Sequence, residues 1–230
     1  MKQKRTILIL LVMIIMGCWA FGGSVCAQSG PVKVVVVDAA HGGSDLGVKI
    51  ADKVYEKELT LKLALLVQKE FDKSSQLQVV LTRDKDVALS TEDRVKKIMQ
   101  IKPRLMVSIH INSGMYKSAK GFEIYFPGFK SVKTSKDEST AIINDMTKNK
   151  SLNESVRLAQ NIQKQLELVF PKESRDLREA PLALLDGLSI PAVVVEIGFA
   201  SNVENRKKIT EEKYQQDIAR ALGKGIRESL

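Results

Sequence analysis

The sequence predicts an α/β fold: a single domain built on a mostly parallel, twisted sheet of about six strands, with helices on both faces. Two observations carry that expectation. Short β-branched runs alternate along the chain with segments whose apolar residues recur at helical spacing. No internal repeat and no long Pro/Gly/Ser linker divides them. Alternating units of this kind build parallel sheets covered on both faces.

The strand-like runs are Lys33 to Asp38, Leu77 to Thr82, Leu105 to Ile111, Phe122 to Phe126, Leu182 to Leu185 and Ala192 to Ile197. Between the first two, Leu59, Leu63, Leu66 and Val67 fall on one helical face, and Phe71 follows at the next turn. Ser90 and Thr91 ahead of Glu92 and Asp93 read as a helix start. Val156 to Phe170 is amphipathic, and Tyr214, Ile218, Leu222 and Ile226 make a terminal stripe at four-residue steps. One segment breaks the rhythm. Residues 127–153 are polar and rich in Lys, Ser and Thr, with one weak helical patch around Thr140 to Met146. That is long for a connection inside a compact domain, and it reads either as a solvated loop or as a lid or regulatory insert.

Residues 1–27 read as a signal peptide, and 28–230 as the catalytic domain. Lys2, Lys4 and Arg5 form a basic start, Thr6 to Met16 an apolar run, and Val25-Cys26-Ala27 a small-x-small cleavage site. Ile15-Met16-Gly17-Cys18 offers an alternative, a loose lipobox that would make Cys18 a lipid anchor. Export to the periplasm, cell wall or extracellular space follows from either. Both cysteines lie in this leader, so cleavage after Ala27 leaves no thiol for a disulfide, a zinc ribbon or a nucleophile. The leader holds three basic residues and no acid, so the formal charge of +9 falls to +6 after cleavage. That charge is mixed with acids and has no interleaved aromatics, which argues against nucleic acid and fits a solvated surface or attraction to an anionic exterior polymer.

In an open α/β sheet, ligands bind beyond the carboxyl ends of the strands. The only two histidines fall there. His41 follows the first strand in Asp38-Ala39-Ala40-His41-Gly42-Gly43, and His110 sits near the end of the third. Glu196 interrupts an apolar run near the end of the last strand, an expensive place for a charge without a partner or a function. Glu56 stands where a helix begins. Each has a plain structural alternative: a hydrogen-bonding histidine, a first-turn acid favoured by the helix dipole, a buried ion-pair partner. Two imidazoles and one carboxylate are also a normal catalytic zinc set, with a second carboxylate left over as base.

The chain resembles the zinc-dependent N-acetylmuramoyl-L-alanine amidases of the amidase-3 type. The matching pieces occur in order. Asp38 to Gly43 resembles an Asp-Pro-Gly-His-Gly-Gly motif, and Glu56-Lys57 precedes a Leu-rich helix. Thr82-Arg83 and then Arg94 follow, with Ser108-Ile109-His110-Ile111-Asn112 after them. Arg175, Ala180-Pro181-Leu182, Leu185, Pro191 to Phe199 and Ser201-Asn202 complete the set. The resemblance implies that His41, Glu56 and His110 bind zinc and that Glu196 is the catalytic glutamate. Asp38, Asn112 and Arg94 become candidates for supporting or substrate-contacting roles. The substrate it implies is peptidoglycan, cut between N-acetylmuramic acid and L-alanine by a monomer. A zinc carboxypeptidase or endopeptidase acting on the stem peptide is the rival enzyme, and an inactive wall-binding regulator the non-enzymatic one.

Two further expectations rest on that resemblance. Ala39 and Ala40 replace the family's Pro-Gly, which should place backbone strain at Ala40. Some members cover the zinc with a helix in the position of 127–153 until a protein activator displaces it, so Asp137, Glu138 or Asp145 could reach the metal from this insert.

Overall fold

The computed structural model describes residues 31–72, 76–128 and 138–230. The leader expected at 1–27 lies outside them. One compact unit runs from Pro31 to Leu230. A six-stranded sheet organises it, in the order β4-β1-β5-β8-β6-β7. Here β1 is Lys33–Ala39, β4 Leu77–Leu81, β5 Leu105–Asn112, β6 Phe122–Phe126, β7 Ser174–Glu179 and β8 Ala192–Phe199. Two short strands, β2 (Lys49–Ala51) and β3 (Val54–Tyr55), pair separately. Strands β4, β1, β5 and β8 run parallel. Strand β6 is antiparallel to β8, and β7 follows β6 in parallel.

Helices cover both faces, as the sequence predicts. On one side α1 (Glu56–Lys69), α3 (Glu138–Leu166) and α6 (Glu212–Glu228) meet alternate sheet residues, among them Val35, Val37, Ile109 and Val195. On the other side α2 (Thr91–Ile101) and a short α4 (Ala183–Asp186) meet Val36, Met106 and Val194. The strand period of two sends Asp38, Ser108, His110 and Glu196 to that second face, in register across β1, β5 and β8. A remaining helix, α5 (Val203–Thr210), is capped by Asn202, whose side chain accepts a hydrogen bond from Asn205 N.

Three elements differ from the sequence expectation. Leu182 to Leu185 forms α4 rather than a strand, because a short apolar run has no periodicity to separate the two and Gly187 closes it as a turn of helix. The sixth strand is instead β7, whose sequence SRDLRE is too charged to read as buried. It lies at the sheet edge, where charge on the exposed residues discourages pairing with other chains. Thirdly, α3 extends the amphipathic segment backward to Glu138 as one helix of 29 residues. Neither Gly nor Pro interrupts that stretch, so nothing stops the helix, although Asp145–Lys150 bury no stripe to reveal it.

That helix also locates part of the polar insert. Because β6 runs against β8, the chain leaves β6 at the amino-terminal edge of the parallel strands. There Ser151 Oγ donates to Ser189 O at 3.1 Å, Ser155 Oγ accepts from Ala192 N at 3.0 Å, and Arg104 forms a two-pronged pair with Glu154 at 2.7 and 3.1 Å. Asp145 and the residues around Ser151 therefore lie at the edge opposite His41 and His110, and the side chain of Glu138 lies outside what the structure describes. Asp137 lies outside the described residues.

Ser155 is fully buried and serves an interior amide. Replacing it with alanine leaves Ala192 N without a partner. Ser155→Ala should therefore lower the unfolding free energy by about 1–3 kcal/mol. The measurement is urea unfolding, with the expected result a lower midpoint at unchanged slope; an unchanged midpoint would count against this anchor.

Candidate active site

The turn after β1 is fixed by two buried arginines. Asp38 is 1% exposed and accepts from Thr82 Oγ1, Ser108 Oγ and Arg94 Nη1, each at 2.6 Å. Burial works against its charge, but Arg94 and the two hydroxyls outweigh that and hold its carboxyl below the usual aspartate range. Arg94 also donates to Ala39 O and His41 O. Arg83 donates to Ala39 O, Ala40 O and Lys57 O. A chain turning out of a buried strand leaves interior carbonyls, and the many donors of two guanidiniums satisfy them. Arg94 and Asp38 thus act on the backbone that carries His41.

The expected strain at Ala40 falls elsewhere. Ala39 and Ala40 are buried in ordinary conformations, and the left-handed residue is His41 itself, with φ 60°. Gly42 has φ 133°, and a Cβ there would lie 2.2 Å from Val87 O. Gly42 thus serves the close approach of residue 87 rather than the donors. The glycine facing the donors is Gly47. A Cβ on it would sit 2.7 Å from both Glu56 Oε2 and His41 Cδ2. It was missed because no local motif ties it to either side chain.

Helix α1 begins at Glu56 and delivers that carboxylate, 2% exposed, between the histidines. Its Oε1 accepts from Ile111 N at 2.9 Å and its Oε2 from Val48 N at 3.0 Å. His41 Nε2 is 3.1 Å from Oε2, and His110 Nδ1 is 3.2 Å from Oε1. Desolvation would raise the Glu56 pKa, but the two imidazoles and the Ile111 amide overcome it and hold the group ionised. The hydrogen bond to Glu56 is the main reason that His41 is pushed up to about 9. Asp45, which the sequence reading passed over, holds His41 Nδ1 at 2.8 Å. Its place four residues after the histidine, inside the same turn, was the available signal.

Donor atoms of His41, Glu56 and His110 lie within 4.8 Å of one another. Two imidazole nitrogens and one carboxylate oxygen, with open space on one side, suit a divalent transition metal that keeps a free position. The donor space that Gly47 leaves clear fits the same group. A cavity of about 300 Å³ opens beside this set, and Glu196 and Asn112 line it. Glu196 pairs with His110 across β5 and β8. Burial pushes its carboxyl up to about 7; His110 pulls the other way, while Glu56 and Glu123 add to the rise. Asn112 donates to Glu123 Oε2 at 3.1 Å and accepts from Gly114 N at 2.9 Å. The candidate residues therefore converge on the carboxyl edge in two tiers. Five of them, His41, Glu56, His110, Asn112 and Glu196, line this cavity, and Asp38 and Arg94, with Asp45, line a neighbouring one.

A mostly parallel sheet with a His-Glu-His cluster and a neighbouring carboxylate at its carboxyl edge is an arrangement that metal-dependent hydrolases can use. Residues 35–228 match the Amidase_3 family model, described as N-acetylmuramoyl-L-alanine amidase, and the chain belongs to that family of peptidoglycan amide hydrolases. Similar curated proteins include YqiI of Bacillus subtilis strain 168, uncharacterized, 32% identical over 204 residues, with 87% of this chain and 88% of that one covered. The endolysin of Bacillus phage SPP1 is 32% identical over 198 residues, covering 86% of this chain and 66% of the phage protein. This chain spans 56% of the amidase AmiC of Escherichia coli O6:H1, at 24% identity over 232 residues. Among solved structures, the catalytic domain of the amidase CwlV from Bacillus (Paenibacillus) polymyxa superposes with TM-score 0.72 at 29% identity, covering 86% and 97% of the two chains. The CwlD amidase of Clostridioides difficile, solved in complex with the GerS lipoprotein, gives 0.68 at 28% identity, covering 86% and 98%.

Asp38→Asn removes the charge that answers Arg94, and an unanswered buried charge costs about 3–5 kcal/mol. The folded-state pKa of Asp38 lies below its ordinary 3.8, so its contribution is complete above that pH and disappears as pH falls through the folded value. Unfolding measured from neutral to acid pH should show the wild type and the Asn variant converging below about pH 4. A gap that stays constant with pH would contradict the pairing.

Proposed function

We propose that this chain is a zinc-dependent N-acetylmuramoyl-L-alanine amidase cleaving the amide between the lactyl group of N-acetylmuramic acid and the L-alanine of the stem peptide. The observation that carries the reading is the convergence of His41, Glu56 and His110 beside Glu196 on one cavity. His41 Nε2, one oxygen of Glu56 and His110 Nδ1 would hold the metal. When bound, zinc supplies Lewis acidity toward an amide carbonyl and toward water.

The remaining steps belong to the protein. Asp45 fixes the ring of His41, and two backbone amides fix Glu56, so the donors are set before any ion arrives. The Glu196 carboxylate accepts a proton from the attacking water and returns it to the departing nitrogen of alanine. Its half-buried position between a histidine and two carboxylates suits it to both duties, since a group titrating near neutrality gives and takes protons readily.

The substrate lies outside the cell membrane, so the reading includes export through the leader and removal of residues 1–27. Among the described residues no helix is long and apolar enough to cross a membrane. The reading includes a protein activator acting on 127–153, whose residues Asp145 to Ser151 lie at the far edge of the sheet.

The test is incubation of the zinc-loaded protein with purified peptidoglycan. Intact stem peptides should be released, and Glu196→Gln should lower kcat by about 100-fold or more with zinc content unchanged. Full activity in the variant would remove Glu196 from the reaction. Release of single amino acids would replace the amidase with a stem-peptide peptidase.

A further inference from the structure

Next to Glu196 on the neighbouring strand sits a second carboxylate, Glu123, 4% exposed and paired with Glu196 across β8 and β6. Four groups surround it. Its Oε2 accepts from Asn112 Nδ2 at 3.1 Å and from the Tyr125 hydroxyl at 2.8 Å. Its Oε1 meets Arg175 Nε at 3.1 Å and Arg178 Nη2 at 3.6 Å. Both arginines come from the edge strand β7 and remain close to half exposed. One carboxylate thus faces two guanidiniums, and one positive charge is left over at the surface.

The position of that charge is specific. Asn112, which clamps Glu123, lines the same cavity as Glu196 and the three metal-site residues. The Arg175 guanidinium lies 5.3 Å from the ring centre of Phe199, at the carboxyl end of β8. Only Nε of Arg175 is engaged with Glu123. Among the described residues its two terminal nitrogens have no hydrogen-bond partner. Those terminal nitrogens are the pair whose spacing matches the two oxygens of a carboxylate. The other cations near the cavity are committed: Arg83 and Arg94 to carbonyls and Asp38, Lys57 to Asp86 and Gly43 O.

We propose that Arg175 and Arg178, oriented by Glu123, which Asn112 ties to the wall of the cavity, form a subsite for a carboxylate of the peptide attached to the cleaved amide. This rests on the amidase reading and deepens it. In the stem peptide an acidic residue follows the alanine, and its backbone carboxyl is either a free acid or an amide. The subsite selects the free acid. Glu123 is a positioning residue: it holds the guanidiniums and does not meet the substrate.

The experiment compares kcat/KM of the zinc-loaded enzyme on two soluble muramyl peptides that differ only in that carboxyl, acid against amide. Wild type should prefer the acid by about ten-fold or more, the discrimination expected of one charge-assisted pair. Arg175→Ala and Arg178→Ala should bring the ratio toward one, mainly through KM, and Arg175→Lys should restore part of it. Equal losses on both compounds would mean a structural role and overturn the subsite, as would a wild type that does not distinguish acid from amide. Whole peptidoglycan, assayed in parallel, separates the two levels: failure to release stem peptides from it overturns the amidase reading, whereas release without acid preference overturns the subsite alone.

Discussion

The site depends on one buried charge. Glu56 brings a carboxylate to a place 2% exposed, where an ion without partners is intolerable. Its oxygens are met by two backbone amides, from Val48 and Ile111, and by the two imidazoles of the chain. The amides fix the oxygens and the oxygens fix the rings, so three elements distant in sequence are tied to one point. A metal ion would take the place between them that protons on the histidines otherwise serve.

Behind that point stands a second buried pair with a different duty. Asp38 and Arg94, together with Arg83, hold the carbonyls of residues 39–41 where β1 ends. Their work is to let a strand leave the sheet inside the protein and present His41 with a left-handed backbone. Parallel pairing then sets the rest. Because β1, β5 and β8 run the same way and keep register, His110 and Glu196 emerge at the edge reached by His41. Antiparallel β6 adds Glu123 to the same face, and also sends the following chain to the opposite edge.

Most of this architecture is legible in the sequence because parallel strands are buried on both faces and read as apolar runs. The same physics makes Glu196 visible, as a charge in such a run. What the sequence hides are features without a periodic or compositional mark. Edge strand β7 is charged, Asp145–Lys150 of α3 bury no apolar stripe, and α4 is too short for a period. Gly47 matters through a contact with Glu56 that only folding creates. Ala40 illustrates the reverse case: a motif comparison marks it as strained, whereas the positive φ is carried by the next residue, whose carbonyl is held by Arg94.

The central claim is that His41, Glu56 and His110 form one metal site with an open position toward Glu196. A crystal grown with zinc and measured on both sides of the zinc absorption edge tests it most directly. The account predicts a single strong anomalous peak within about 2.0–2.2 Å of His41 Nε2, a Glu56 oxygen and His110 Nδ1, and its loss in Glu56→Ala. A zinc peak coordinated elsewhere, or one that persists between the two histidines without Glu56, would contradict it.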